Sequence, residues 1–166
     1  MPDASACQPM PRRRTLKRPS ATAPAGGVLL ATEGRPISKA AVARAAELAK
    51  ADGTPVHVFA IARIHGVAFG LPSPWLRPSH SEWQERRDIV AAAIKQLEQR
   101  GVEADGNILG TRKATKRIVG EAERLGCTSI VMTGDPEENR VVGNLHWSQE
   151  PYRVKRRARV PVHVVV

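Results

Sequence analysis

Cysteines, aromatic rings, long apolar runs and acidic side chains are all scarce in this chain. The two cysteines, Cys7 and Cys127, cannot form a disulfide framework and lack the spacing of a metal-ligand pair. A reducing cytoplasmic location is the expectation. The longest apolar runs, residues 28–31 and 164–166, fall far short of the roughly 20 residues that span a bilayer, so no membrane role is expected. Nothing in the chain has the ordering of a Ser, His and Asp triad, a convincing carboxylate pair or a Cys–His couple, and the five histidines are scattered. An enzyme is therefore not expected.

What the chain does have is an ordinary apolar content of 42% over 166 residues, enough for one domain of normal size. It also carries 26 Lys and Arg against 16 Asp and Glu, a formal net charge of +10. Much of that excess sits in two stretches. One is Arg12, Arg13 and Arg14 with Lys17 and Arg18; the other is Arg153, Lys155, Arg156, Arg157 and Arg159. Such clusters suit a solvated tail and the cation-favouring end of a helix. They equally suit nucleic acid or another anionic surface, and both readings stay open. Residues 1–26 are rich in Pro, Arg, Ser and Ala without hydrophobic periodicity, which is the pattern of a disordered basic tail. Their Arg-Arg-Arg run is not followed by an apolar segment, so export is not expected.

From residue 27 to residue 166 the pattern is that of one folded domain. Short apolar β-branched runs at residues 28–32, 56–61 and 129–132 have the character of strands buried on both faces. Residues 102–109 alternate instead, which places that strand nearer a sheet edge, and residues 160–166 form a last strand. His57, inside the second run, fits a satisfied sheet residue. Between the strands lie helical patterns. The first is capped by Ser38 and stopped by Gly53, and the second opens at residues 81–83 and stops at Gly101. A third starts at Thr111 or Thr115 and stops at Gly126, and a fourth runs from Ser148 to about residue 157. Cys127 fits a small packed hydrophobe between the third helix and the next strand. Residues 63–80 form a long Gly- and Pro-rich loop whose apolar side chains must pack on something, either this domain or a partner. Strands alternating with helices predict an α/β fold with a mostly parallel open sheet and helices on both faces.

Several segments, in order, resemble the universal stress protein family. Val28-Leu29-Leu30-Ala31-Thr32-Glu33-Gly34 resembles the family's first strand and its Thr-Asp-Gly turn. The Ala-rich helix of residues 41–49, the stretch Ile130-Val131-Met132-Thr133-Gly134, and the ending Pro161-Val162-His163-Val164-Val165 match later parts of its pattern. The resemblance implies a five-stranded sheet in the order 3-2-1-4-5, an adenine nucleotide alpha hydrolase-like fold and a role in stress physiology. It also implies a homodimer formed through the last strand, here Val160, Val162, Val164 and Val166. An ATP or AMP site, with Mg²⁺ when filled, would lie between strands one and four.

Carried over residue by residue, that site is Thr32, Glu33, Gly34, Ile61, Thr133, Gly134, Trp147 and Ser148. Nucleotide-binding members of the family carry Gly, two residues, Gly, nine residues, then Gly followed by Ser or Thr. Glycines serve there because phosphate must approach the backbone closely, and the closing hydroxyl caps a helix whose N–H groups face the anion. Counted from Gly134, the second glycine position holds Glu137 and the third Trp147, leaving only Ser148 in agreement. Asp135, Glu137 and Glu138 add negative charge, with Arg140 nearby. Glu33 stands where the family has Asp, with one more methylene to reach a ribose hydroxyl. The expectation is a stress-response regulator with a degenerate nucleotide motif. The alternatives are an ATP- or AMP-binding sensor with slow hydrolysis and a basic protein associated with nucleic acid.

Overall fold

The computed structural model describes residues 26–64, 79–134 and 150–166. In chain order the elements are β1 (Val28–Thr32), α1 (Lys39–Asp52), β2 (Val56–Arg63), α2 (His80–Gln99), β3 (Ala104–Thr111), α3 (Ala114–Leu125), β4 (Ser129–Thr133), α4 (Glu150–Arg157) and β5 (Val162–Val165). The strands form one sheet in the order β3-β2-β1-β4-β5, and every neighbouring pair is parallel. This is the order the family resemblance implies. The alternating β and α elements require it to be built from crossovers, and the helices divide between the two faces.

α1 and α2 cover one face, packing Val42, Ala45, Ala49, Val90, Ala93 and Leu97 on Val28, Leu30, Val58 and Val131. α3 and α4 cover the other, with Ile118, Ala122, Leu125 and Val154 against Leu29, Phe59, Ile61 and Ile130. The central strands β1, β2 and β4 are buried almost throughout, whereas β3 and β5 are only half-buried. The interrupted pattern of β3 is thus an edge pattern. Gly106 on this strand lets α2 lie close, since a Cβ there would sit 2.4 Å from Val90 Cγ1.

Several element boundaries differ from the sequence pattern, each for a local reason. α2 starts at His80, not at residues 81–83, because Ser79 forms a complete capping box with Glu82. α3 starts at Ala114. Thr111 lies in β3 and uses its hydroxyl to accept from the Lys113 N–H at 3.1 Å, and Thr115 already lies inside the helix. β2 runs to Arg63, past the apolar stretch, because β3 pairs with it as far as the Arg63–Thr111 match. β3 begins at Ala104, since the Val102 N–H bonds back to Leu97 O at the end of α2. β5 spans only Val162–Val165, with Pro161 O accepting from the Ile130 N–H at its start. The tail of residues 1–25, most of the loop of residues 63–80, and the candidates Trp147 and Ser148 lie outside the described residues.

Candidate functional site

Strand length makes a crevice. β1 pairs with β2 only as far as Thr32–Ala60 and with β4 as far as Ala31–Met132, while β2 continues to Arg63 along β3 alone. The chain order reverses between β1 and β4, and a crevice outside the strand C-terminal ends at such a point is where open α/β sheets bind ligands. The structure brings Thr32, Glu33 and Gly34 to this place from β1, and Thr133 and Gly134 from β4. Ile61 lies one strand away with its side chain fully buried in the α3/α4-side core.

Each of these groups already has work within the fold. The Thr32 hydroxyl donates to Arg35 O at 2.7 Å, closing the turn after β1. Thr133 Oγ1 accepts from the Ser38 N–H at 3.1 Å, which ties β4 to the start of α1. Ser38 in turn caps that helix by accepting from the Ala41 N–H. Gly134 donates its N–H to Val165 O at 2.8 Å, and a Cβ on Gly134 would stand 2.4 Å from Val164 Cγ1. Its missing side chain therefore serves the packing of β5. Gly34 has φ +107, and the guanidinium of Arg86 from α2 packs 3.2 Å from where its Cβ would be.

The ionic interactions in the crevice tie Glu33 to residues the family pattern does not single out. Arg63 Nη2 donates to Glu33 Oε2 at 2.8 Å and to Glu150 Oε2 at 2.9 Å. The Thr115 hydroxyl donates to the other oxygen of Glu150. Arg153, one turn along α4, adds a longer ion pair to Glu150 at 3.9 Å. One guanidinium thus ties the ends of β1 and β2 to the start of α4, and Thr115 adds the start of α3. Both carboxylates are almost completely buried, at 3% and 5% exposure. Burial pushes the Glu33 carboxyl up to about 7, because desolvation outweighs the attraction of Arg63 and the nearby Glu150 adds repulsion. Sequence reading missed this cluster because Arg63 looked like the start of a loop and Glu150 like the polar first turn of a helix. The available signal was a charged residue directly continuing an apolar β-branched run.

A second polar cluster lies at the opposite end of the sheet. His57 is 2% exposed, with Nδ1 2.9 Å from Asp105 Oδ1 on β3 and Nε2 3.2 Å from Gly26 O. Both partners are acceptors, so the geometry favours the ring with both nitrogens protonated. The hydrogen bond and charge of Asp105 hold its pKa above the usual histidine value against the opposing effect of burial. Glu121 on α3 binds Arg124 through both oxygens and holds its carboxyl below the usual range by that bond. Cys127 nearby is buried, and desolvation pushes its thiol up to about 12, which leaves it chemically inert. These residues pack the start of β1 and β2 as the sequence suggested for His57 and Cys127. Among the described residues no group of three or more His, Cys, Asp or Glu side chains could hold a metal, and no helix is long and apolar enough to cross a membrane.

An adenine nucleotide with Mg²⁺ would need the Glu33 carboxylate and open backbone donors at the ends of β1 and β4. Among the described residues that carboxylate is bound by Arg63 and the Gly134 N–H by Val165, so this part of the crevice does not fit the group as it stands. Comparisons with known proteins place the fold. The model of the universal stress protein family matches residues 26–165. A universal stress protein from Archaeoglobus fulgidus is similar over 86% of this chain and 93% of its own, at 19% identity and a TM-score of 0.65. A structure of the universal stress protein from the same organism in complex with dAMP gives 19% identity over 87% of this chain and all of its own, with a TM-score of 0.62. A universal stress protein in complex with cAMP gives 18% identity over 87% and 98% of the two chains, at a TM-score of 0.58. No curated protein sequence matches.

Proposed function

Because the chain belongs to the universal stress protein family, we propose that it is a non-enzymatic stress-response regulator whose nucleotide crevice is closed by its own Arg63. The observation that carries this reading is the bridge from Arg63 to Glu33 and Glu150, at 2.8 and 2.9 Å. A ribose hydroxyl needs a carboxylate acceptor free to rotate towards it. Here that acceptor is held by a charge-assisted bond in a buried setting, where such bonds are strongest. Removing it for a ligand would leave Arg63 and Glu150 to be satisfied anew. The broken glycine spacing at Glu137 and Trp147 points the same way. We assign the regulatory output to protein association, with β5 as the contact of a homodimer. Among the described residues its outer edge carries no strand, and a parallel sheet leaves such an edge as a template for pairing.

The second reading is an adenine-nucleotide sensor, favoured by the dAMP- and cAMP-bound relatives of the same fold. Calorimetry of the full chain with Mg-ATP and with AMP separates the two. The closed-crevice reading expects no binding heat at millimolar nucleotide; saturable binding that weakens in a Ser148→Ala variant would establish the sensor instead. Sedimentation at micromolar concentration tests the dimer, and a monomer there would remove it.

A further inference from the structure

The two helical layers on this sheet differ in charge to a degree that neither layer's sequence shows alone. α1 and α2 together carry six Lys or Arg and six Asp or Glu, so that face is balanced. α3 and α4, though they are shorter, carry seven Lys or Arg against three Asp or Glu. Of those three acids, Glu150 is buried under Arg63 and Glu121 is turned inward onto Asn107 and Arg124. Only Glu123 remains well exposed, 4.0 Å from Arg159. The flanking Arg112, Lys113 and Arg159 add three more cations to the same layer.

The cations occur in two groups. Arg112, Lys113, Lys116 and Arg117 are exposed around the first turn of α3. Lys155, Arg156 and Arg157 are exposed on the last turn of α4. The Thr115–Glu150 bond fixes the starts of the two helices together, so both run the same way along the sheet. The two groups are therefore offset by about the length of α4, roughly 12 Å at 1.5 Å per residue. None of these seven has an ion-pair partner among the described residues. Mutual repulsion of so many unpaired cations is a cost that the fold alone gives no reason to bear.

We propose that the α3/α4 face binds the phosphodiester backbone of duplex nucleic acid without reading its sequence. Charge complementarity selects a polyanion, and the face offers Lys and Arg spread over several phosphate spacings. An anionic membrane is the poorer match. An interfacial helix needs large apolar side chains facing outward, whereas Val166 is the sole exposed large hydrophobe among the described residues and lies on neither helix. Among the described residues no exposed aromatic ring stands among the cations to stack on an unpaired base, which favours the duplex over single strands.

The test is fluorescence anisotropy of the full-length protein on a labelled 20-base-pair DNA duplex at a series of KCl concentrations. Variants Lys116→Glu with Arg117→Glu, and Arg156→Glu with Arg157→Glu, are compared with Arg44→Glu with Lys50→Glu on the balanced face. Arg12, Arg13 and Arg14 all changed to Gln serve as the tail control, and vesicles of anionic lipid as the competing surface. The proposal expects affinity to fall steeply with salt, and the log–log slope to drop by about 2 for each helix pair, near one per lost phosphate contact. The α1 variant should bind as wild type. Circular dichroism confirms that each variant is folded. Any one of three outcomes would overturn the proposal: absence of duplex binding at 50 mM KCl, loss of binding through the tail variant alone, or binding to vesicles and not to the duplex.

Discussion

The two ends of the sheet both bury ionic groups on the α3/α4 side, yet they solve the problem differently. At the strand N-terminal end, His57 finds its partners close by, on the adjacent strand at Asp105 and on the incoming chain at Gly26. At the C-terminal end, Arg63 gathers Glu33 from just past β1 and Glu150 from the start of α4. One cluster fastens neighbours in a ladder that exists anyway. The other joins separate crossover units across the crevice where this architecture binds ligands. The difference lies in what each cluster joins: strand neighbours at one end, and β1, β2 and α4 around the crevice at the other.

The largest expected effect comes from cutting the C-terminal cluster. Arg63→Met leaves two buried carboxylates facing each other, and removing one partner of a buried ion pair costs roughly 3–5 kcal/mol. Urea unfolding should show that loss, and a loss under 1 kcal/mol would mean the bridge contributes little. Glu33 gives the next effect, through pH. Its folded pKa is raised from 4.5 to about 7, so the folded chain binds the proton more tightly than the unfolded one. Its contribution to stability is present below pH 4.5 and is lost as pH rises to 7, by on the order of 3 kcal/mol. A Glu33→Gln variant should lack that slope, so the difference between wild-type and variant stability curves should fall across this window. A flat difference would place the Glu33 carboxyl at an ordinary value.

At the other end, His57→Leu should cost about 1–3 kcal/mol at pH 6, since Asp105 and Gly26 O each lose a donor. The titration provides a finer comparison. With the folded pKa raised, the stabilisation from His57 is complete below its unfolded value of 6.5 and fades as pH climbs through the folded one. An NMR titration of the His57 ring should give a midpoint above 6.5; one below would reverse the assignment. Both ends therefore lose stability as pH rises, the loss setting in above 4.5 at the crevice and above 6.5 at the other end.

How much of this was visible in the sequence follows from the range of the interactions. Periodicity and capping are local, so the strands and helices of the described residues could be anticipated from Val28-Leu29-Leu30-Ala31, the β-branched runs and Gly53 and Gly126, whereas the sheet order came from the family resemblance. Errors fell at ends such as Ser79, Thr111 and Arg63, where a single cap or one more ladder pair decides the boundary. The resemblance grouped Thr32, Glu33, Gly34, Thr133 and Gly134, and these residues lie at the neighbouring C-terminal ends of β1 and β4. Their occupation was not visible. Arg63 and Glu150 meet only after two crossovers, and no local pattern marks a pair that far apart. The charge asymmetry between layers needed the fold as well, because the sheet sets α1 with α2 on one face and α3 with α4 on the other.

The central claim, that Arg63 closes the crevice to adenine nucleotide, is tested most directly by isothermal calorimetry of the full chain with Mg-ATP at pH 7.5. No heat of binding up to millimolar ATP is the predicted result. A stoichiometric isotherm with micromolar affinity would contradict the claim.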